Sequence, residues 1–138
     1  MAQQFSVNVR NARGNQFEGI IGASAKLSIR SGAPPANCAA ADTGVEIIRY
    51  SLASDWAAAF SAGAASPWLN GLPLTGAATG AAAPGHYRIY ATDGTTCGMQ
   101  GTVTATGGGG DLTVDNAAAT TVGQTINVTA WAITEAGA

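Results

Sequence analysis

From Lys26 to Ile133 apolar and polar residues alternate in short runs, and each run is cut off by glycine, proline or Asp/Asn. Period-two alternation puts every second side chain on one face of a strand, so a chain written this way folds as short strands around a shared core. Lys26-Leu27-Ser28-Ile29-Arg30 is the cleanest case, with Leu27 and Ile29 directed inward. Further strands are expected over 45–52, 86–91, 97–104, 111–115 and 125–133. In the last of these Ile126, Val128 and Ala130 share one face while Trp131 and Ile133 fall on the other. A strand apolar on both faces is either central in a sandwich or covered by a partner.

Before Lys26 the pattern differs. Phe5-Ser6-Val7-Asn8-Val9 alternates and predicts an opening strand; then Val9, Ala12, Phe17, Ile20 and Ile21 fit one stripe of a short amphipathic helix. Gly14 and Gly19 each weaken that helix by about 1 kcal/mol relative to Ala, so it needs tertiary packing. Seven or so short strands with Gly/Pro-rich turns and one short N-terminal helix predict a mainly β fold, a β-sandwich of jelly-roll or immunoglobulin-like type. The 138 residues suit a single domain spanning 1–138.

The connections are also marked. Residues 31–44 read as a long surface loop, and Asp93-Gly94 as the tight turn of a hairpin. Gly107 to Gly110 reads as a flexible loop. Residues 53–85, rich in Ala and Gly, are the least regular part and are expected to be partly exposed and mobile.

Charge narrows the function. Only 10% of residues are charged, where about 25% is usual, and a surface so poor in charge suits a protein packed against neighbours. The six basic residues are scattered and the net charge is −2, so no cationic stripe predicts nucleic-acid binding. No apolar run approaches the roughly 18 residues of a membrane span, and the N-terminus lacks a basic-then-apolar leader pattern, so manufacture in the cytoplasm is expected.

Candidate chemistry is sparse. His86, the single histidine, has no nucleophile signature around it and reads as a partly exposed strand-edge residue. Asp111 and Asp115 lack the loop spacing of calcium ligands, and the glycine run lacks the Lys-Ser/Thr ending of a phosphate loop. Cys38 and Cys97 show no metal-ligand spacing; free thiols are the plainer reading and a long-range disulfide the alternative. No enzymatic activity, cofactor or metal is expected. The large apolar residues carry more information: Trp56, Phe60, Trp68, Leu69 and Trp131 are either interface anchors or the core of a small domain.

Four stretches resemble one family: Val9-Arg10-Asn11-Ala12 running to Ile20-Ile21-Gly22-Ala23; the strand and proline turn from Lys26 to Ala36; the hairpin from His86 to Gly94 with Gly101-Thr102-Val103; and the ending from Gly123 to Thr129 and on to Ile133-Thr134. Together they resemble the small cement or decoration proteins of tailed-phage capsids, with a jelly-roll-like sandwich. The segment containing Trp56 and Trp68 has no counterpart in that resemblance. It implies a structural virion protein on the outer surface of an icosahedral shell, binding the major capsid protein and itself as a dimer or trimer, with no direct contact to nucleic acid or membrane. The other readings are a tail or head-completion component, and a carbohydrate-binding or adhesin sandwich module.

Overall fold

A computed structural model describes residues 3–65 and 68–135. The fold is mainly β, with a helical segment at the N-terminus. Two short helices, α1 (Val7–Gly14) and α2 (Gln16–Ile21), precede nine strands: β1 (Lys26–Ser31), β2 (Glu46–Ser51), β3 (Ala64–Ala65), β4 (Leu74–Ala77), β5 (Pro84–Tyr90), β6 (Cys97–Ala105), β7 (Leu112–Val114), β8 (Thr125–Trp131) and β9 (Ile133–Thr134).

Seven strands form one sheet in the order β2-β1-β5-β6-β7-β8-β4, and β3 pairs with β9 separately. The expected two-layer sandwich is therefore corrected: the large sheet curls into a nearly closed barrel. Its edges meet without a full ladder. The Thr79 and Gly80 amides, just past β4, donate to the Ile47 carbonyl of β2 at 2.7 and 3.1 Å, and the Tyr50 hydroxyl crosses to the Ile126 carbonyl at 2.8 Å. Closure removes exposed strand edges, which a sandwich would leave in need of other protection. Leu27, Ile29, Ile47, Ile89, Leu112, Ile126 and Val128 fill the interior.

One bulge overturns the inside–outside assignment of β8. Thr113 pairs with Ala130 but Val114 pairs with Val128, so one extra residue stands in β8. The side-chain parity reverses there. Ile126, Val128 and Trp131 all turn inward, while Ala130 is exposed. The apolar content on both faces of 125–133 thus reflects a bulge in one strand, and Trp131 belongs to the core.

The N-terminal segment departs twice from expectation. Residues 5–9 do not open a strand, because Ser6 is extended and its hydroxyl accepts from the Val9 amide at 3.4 Å, capping α1. The inward row is Arg10, Gly14 and Ile21, all buried, with the partly buried Phe17, spaced i, i+4, i+7, i+11 as one helix face requires. Counting apolar residues could not find that row, since half of it is an arginine and a glycine. Val9, Ala12 and Ile20 of the expected stripe are exposed.

The glycine run is ordered by necessity. β6 and β7 are parallel neighbours, Val103 opposite Leu112, although parallel pairs ordinarily need a crossover of a dozen or more residues. The chain doubles back over 106–111 instead. Gly107 and Gly109 have φ of 85° and 79°, while a Cβ on Gly108 or Gly110 would lie 2.8 Å from Thr104 atoms. Two positions need left-handed backbone and two need close approach. The hairpin at Asp93-Gly94 is also longer than a two-residue turn: the Ala91 amide donates to the Thr96 carbonyl at 2.9 Å, and in the turn only Gly94 has positive φ.

Candidate functional site

The five residues singled out as anchors or core lie together inside the protein. Trp56, Trp68, Leu69 and Trp131 are at most 1% exposed and Phe60 is 5% exposed. Trp68 sits at the centre of the aromatic cluster, with ring centroids 5.1 Å from Trp56, 4.5 Å from Trp131 and 5.8 Å from Phe17, all edge to face. Phe17 also meets Phe60 at 6.0 Å, and Trp131 meets Tyr87 at 4.8 Å. Such contacts add about 0.5–1.5 kcal/mol each beyond area burial. A surface contact made by the chain folded this way must use other side chains.

The segment expected to be mobile is held by these rings and by polar clamps. Trp56 Nε1 donates to the Gly22 carbonyl at 2.9 Å, and the Ala58 amide donates to the Trp68 carbonyl at 2.6 Å. A second helix row, Asn11, Asn15 and Glu18, accepts from the amides of Gly63, Phe60 and Ala57 at 2.8, 2.7 and 3.0 Å. Every third amide of the strap 57–63 is thereby satisfied by a helix side chain, where a strand ladder is missing. Arg10 completes the docking, donating through Nε and Nη2 to the Glu135 carbonyl at 3.0 and 2.8 Å.

The third helix row faces away from the barrel. Val9, Arg13, Gln16 and Ile20 are all exposed, again at i, i+4, i+7, i+11. Ile20 is 80% exposed and Val9 44%, and the Arg13 guanidinium lies 5.1 Å from the centre of the half-exposed Phe5 ring. Phe5, Val9 and Ile20, with the Arg13 stem on the same face, form an apolar strip that a partner can reach; Val7, Val45 and Val122 are the other large apolar side chains exposed among the described residues.

A second assembly covers the outer face of β5. His86, Arg88 and Tyr90 alternate with the core residues Tyr87 and Ile89 and point away from the barrel interior, yet all three are buried. The loop 32–44 lies over them. Arg88 is the clamp: Nη1 bonds Asp42 and the Ala40 carbonyl, the latter at 3.1 Å, and Nη2 donates to the Cys38 carbonyl at 2.8 Å. The Tyr90 hydroxyl donates to Asp42 at 2.6 Å. The Arg49 guanidinium stacks 4.9 Å from the Tyr90 ring centre and pairs with Glu46 at 2.6 Å. Burial raises the Asp42 carboxyl, but hydrogen bonds from Tyr90 and Arg88 and the charges of Arg30 and Arg88 outweigh it and hold the group below its usual value.

His86 is not the strand-edge residue expected. It is fully buried, with Nδ1 2.9 Å from the Gly32 carbonyl, so Nδ1 carries a hydrogen and donates it there. The aspartates considered as ligands are strand-end clasps. Asp111 accepts from the Thr102 amide and hydroxyl at 2.8 Å, and Asp115 from the Asn127 side chain at 2.6 Å. Among the described residues no three His, Cys, Asp or Glu side chains gather where they could hold a metal ion, and no helix is long and apolar enough to cross a membrane. Cys38, on the loop 32–44, and Cys97, at the start of β6, are half-buried free thiols.

Comparison with family models, with curated proteins and with solved structures gives no match.

Proposed function

We propose that this protein is a structural virion component that docks on the outside of an icosahedral phage capsid and bridges neighbouring major capsid subunits. The observation that carries the reading is the exposed strip Phe5, Val9 and Ile20 on a chain with 10% charged residues. The resemblance to capsid decoration proteins supplies the class of partner. The barrel is not the two-sheet sandwich of that resemblance, so surface character bears the weight of the proposal. Each copy needs only a modest contact, because a bridge to two subunits gains from effective concentration and the contact repeats by symmetry. Self-association as a dimer or trimer would present two or three copies of the strip.

A carbohydrate-binding module had exposed tryptophan platforms in its favour, and all three tryptophans are buried. That reading has lost its supporting observation. A tail or head-completion role would use the same strip against a different partner.

The test is cryo-electron microscopy of particles from cells producing the shell subunit together with either the wild type or Ile20→Asp. An exposed side chain of this kind tolerates substitution within roughly 0.5 kcal/mol of stability, so the variant folds. An ordered outer layer at fixed stoichiometry, thinned or lost with Ile20→Asp, supports the proposal. No layer, or density only at the tail, sinks it.

A further inference from the structure

Cys38 and Cys97 stand on two segments separated by about 60 residues that the fold packs against each other. Cys97 opens β6 opposite Tyr90, and Cys38 rides on the loop 32–44 above it. Arg88 holds the Cys38 carbonyl and Tyr90, the strand partner of Cys97, bonds Asp42 of the same loop, so both cysteines border the buried Arg88–Tyr90 pair; Cys97 Sγ is 3.5 Å from the Met99 carbonyl. The backbone at Cys38 is fixed on both sides. The Asn37 side chain accepts from the Ala39 and Ala40 amides at 2.9 and 3.0 Å, and Arg88 Nη2 holds the Cys38 carbonyl at 2.8 Å. Both cysteines are half-buried, and a groove of about 550 Å³ is lined by Cys38, Asp42, Arg49, Arg88 and Thr95. A small reagent has access to Cys38 through it.

We propose that Cys38 and Cys97 form a dithiol–disulfide site, and that oxidation staples the loop 32–44 to β6. The oxidant is a disulfide, of the small-molecule or oxidoreductase class. One protein sulfur, as its thiolate, attacks the donor S–S bond and releases one donor thiol. The second protein sulfur then attacks the mixed disulfide and releases the other. One donor S–S bond is broken and reduced to two thiols, one protein S–S bond forms, and the protein loses two hydrogens in total. Closing an S–S bond of roughly 2 Å would tie the loop to β6 beside the Arg88–Tyr90 pair. Burial pushes the Cys38 thiol up to about 11, with the Cys97 contact raising it further against the lowering effect of Arg88. Exchange through that sulfur therefore quickens as pH rises from neutral.

The assay equilibrates the full chain with glutathione and oxidised glutathione, blocks remaining thiols, and digests with trypsin without reduction. Arg49 and Arg88 lie between the cysteines, and no Lys or Arg follows Arg88. A disulfide therefore appears as one species joining residues 31–49 to 89–138, and reduction splits it. The linked form should be favoured at least tenfold more in the native protein than in concentrated urea. Amide exchange over 32–44 should slow several-fold on oxidation. Two separately blocked or glutathionylated thiols in the native protein, a link between two molecules, or equal yields in urea would each overturn the proposal.

Discussion

Gly14 and Gly19 are equivalent in a helix-propensity argument, and the structure separates them. Replacing glycine by alanine within a helix gains up to about 1 kcal/mol. At Gly19 a Cβ meets nothing within 4 Å, so Gly19→Ala should stabilise by that amount or somewhat less. At Gly14 the same carbon would lie 2.3, 2.4 and 2.5 Å from three atoms of the Phe60 ring, where about 3.5–4.0 Å is comfortable. The ring has to move by more than 1 Å or leave. It is 5% exposed and packs on Phe17, and its own amide is held by Asn15 at 2.7 Å. Overpacking of this kind costs about 1–3 kcal/mol, and expelling the ring forfeits about 1.5–3 kcal/mol of burial. Either route exceeds the propensity gain, so Gly14→Ala should destabilise by about 1 kcal/mol. The two variants should then differ by about 2 kcal/mol. Urea unfolding followed by tryptophan fluorescence, fitted with a common slope, reads the difference directly. Equal shifts of the same sign would refute the docking of α1 against Phe60.

Two other outcomes test the interior and the clamp. Trp68→Ala removes the centre of the aromatic cluster and should cost about 3–5 kcal/mol, seen as a large drop in the urea midpoint; a neutral result would mean the cluster does not hold 53–72 in place. The carboxyls of Asp42 and Glu46 are both lowered in the folded protein. For Glu46 burial raises the group, but hydrogen bonds from Arg49 and Ser28 and the charges of Arg49 and Arg30 outweigh it. A lowered folded value gives stability that is full above the unfolded pKa of about 4 and is lost as pH falls through the folded value. Stability should therefore decline below about pH 4.5, and Asp42→Asn with Glu46→Gln should flatten the decline in acid titrations of the unfolding midpoint; an unchanged slope would show that these ion pairs do not couple to folding.

What the sequence determined by itself is the set of strands where alternation is strong. The runs at Lys26, Val45, His86, Cys97 and Thr125 are strands within a residue or two of their expected bounds, because period-two burial is a local pattern. The mainly β character followed from those runs, as did the long loop 31–44. Strands β3 and β4 were not legible, since Ala64–Ala65 and Leu74–Ala77 lie in a stretch of small residues with no periodic contrast.

Tertiary structure decided the rest, because burial is a relation between distant segments. One bulge opposite Val114 turned Trp131 inward and moved it from the surface to the core. Arg10 and Gly14 sit on the buried helix face because a partner carbonyl at Glu135 and the Phe60 ring meet them there. Arg88 is buried in the middle of a strand because the loop 32–44 folds back to surround it with carbonyls and Asp42. Cys38 and Cys97 became neighbours for the same reason. Neither the placement of Cys38 over β5 nor the curl of the sheet into a barrel is written in any local window, since each depends on which segments meet after the chain has collapsed.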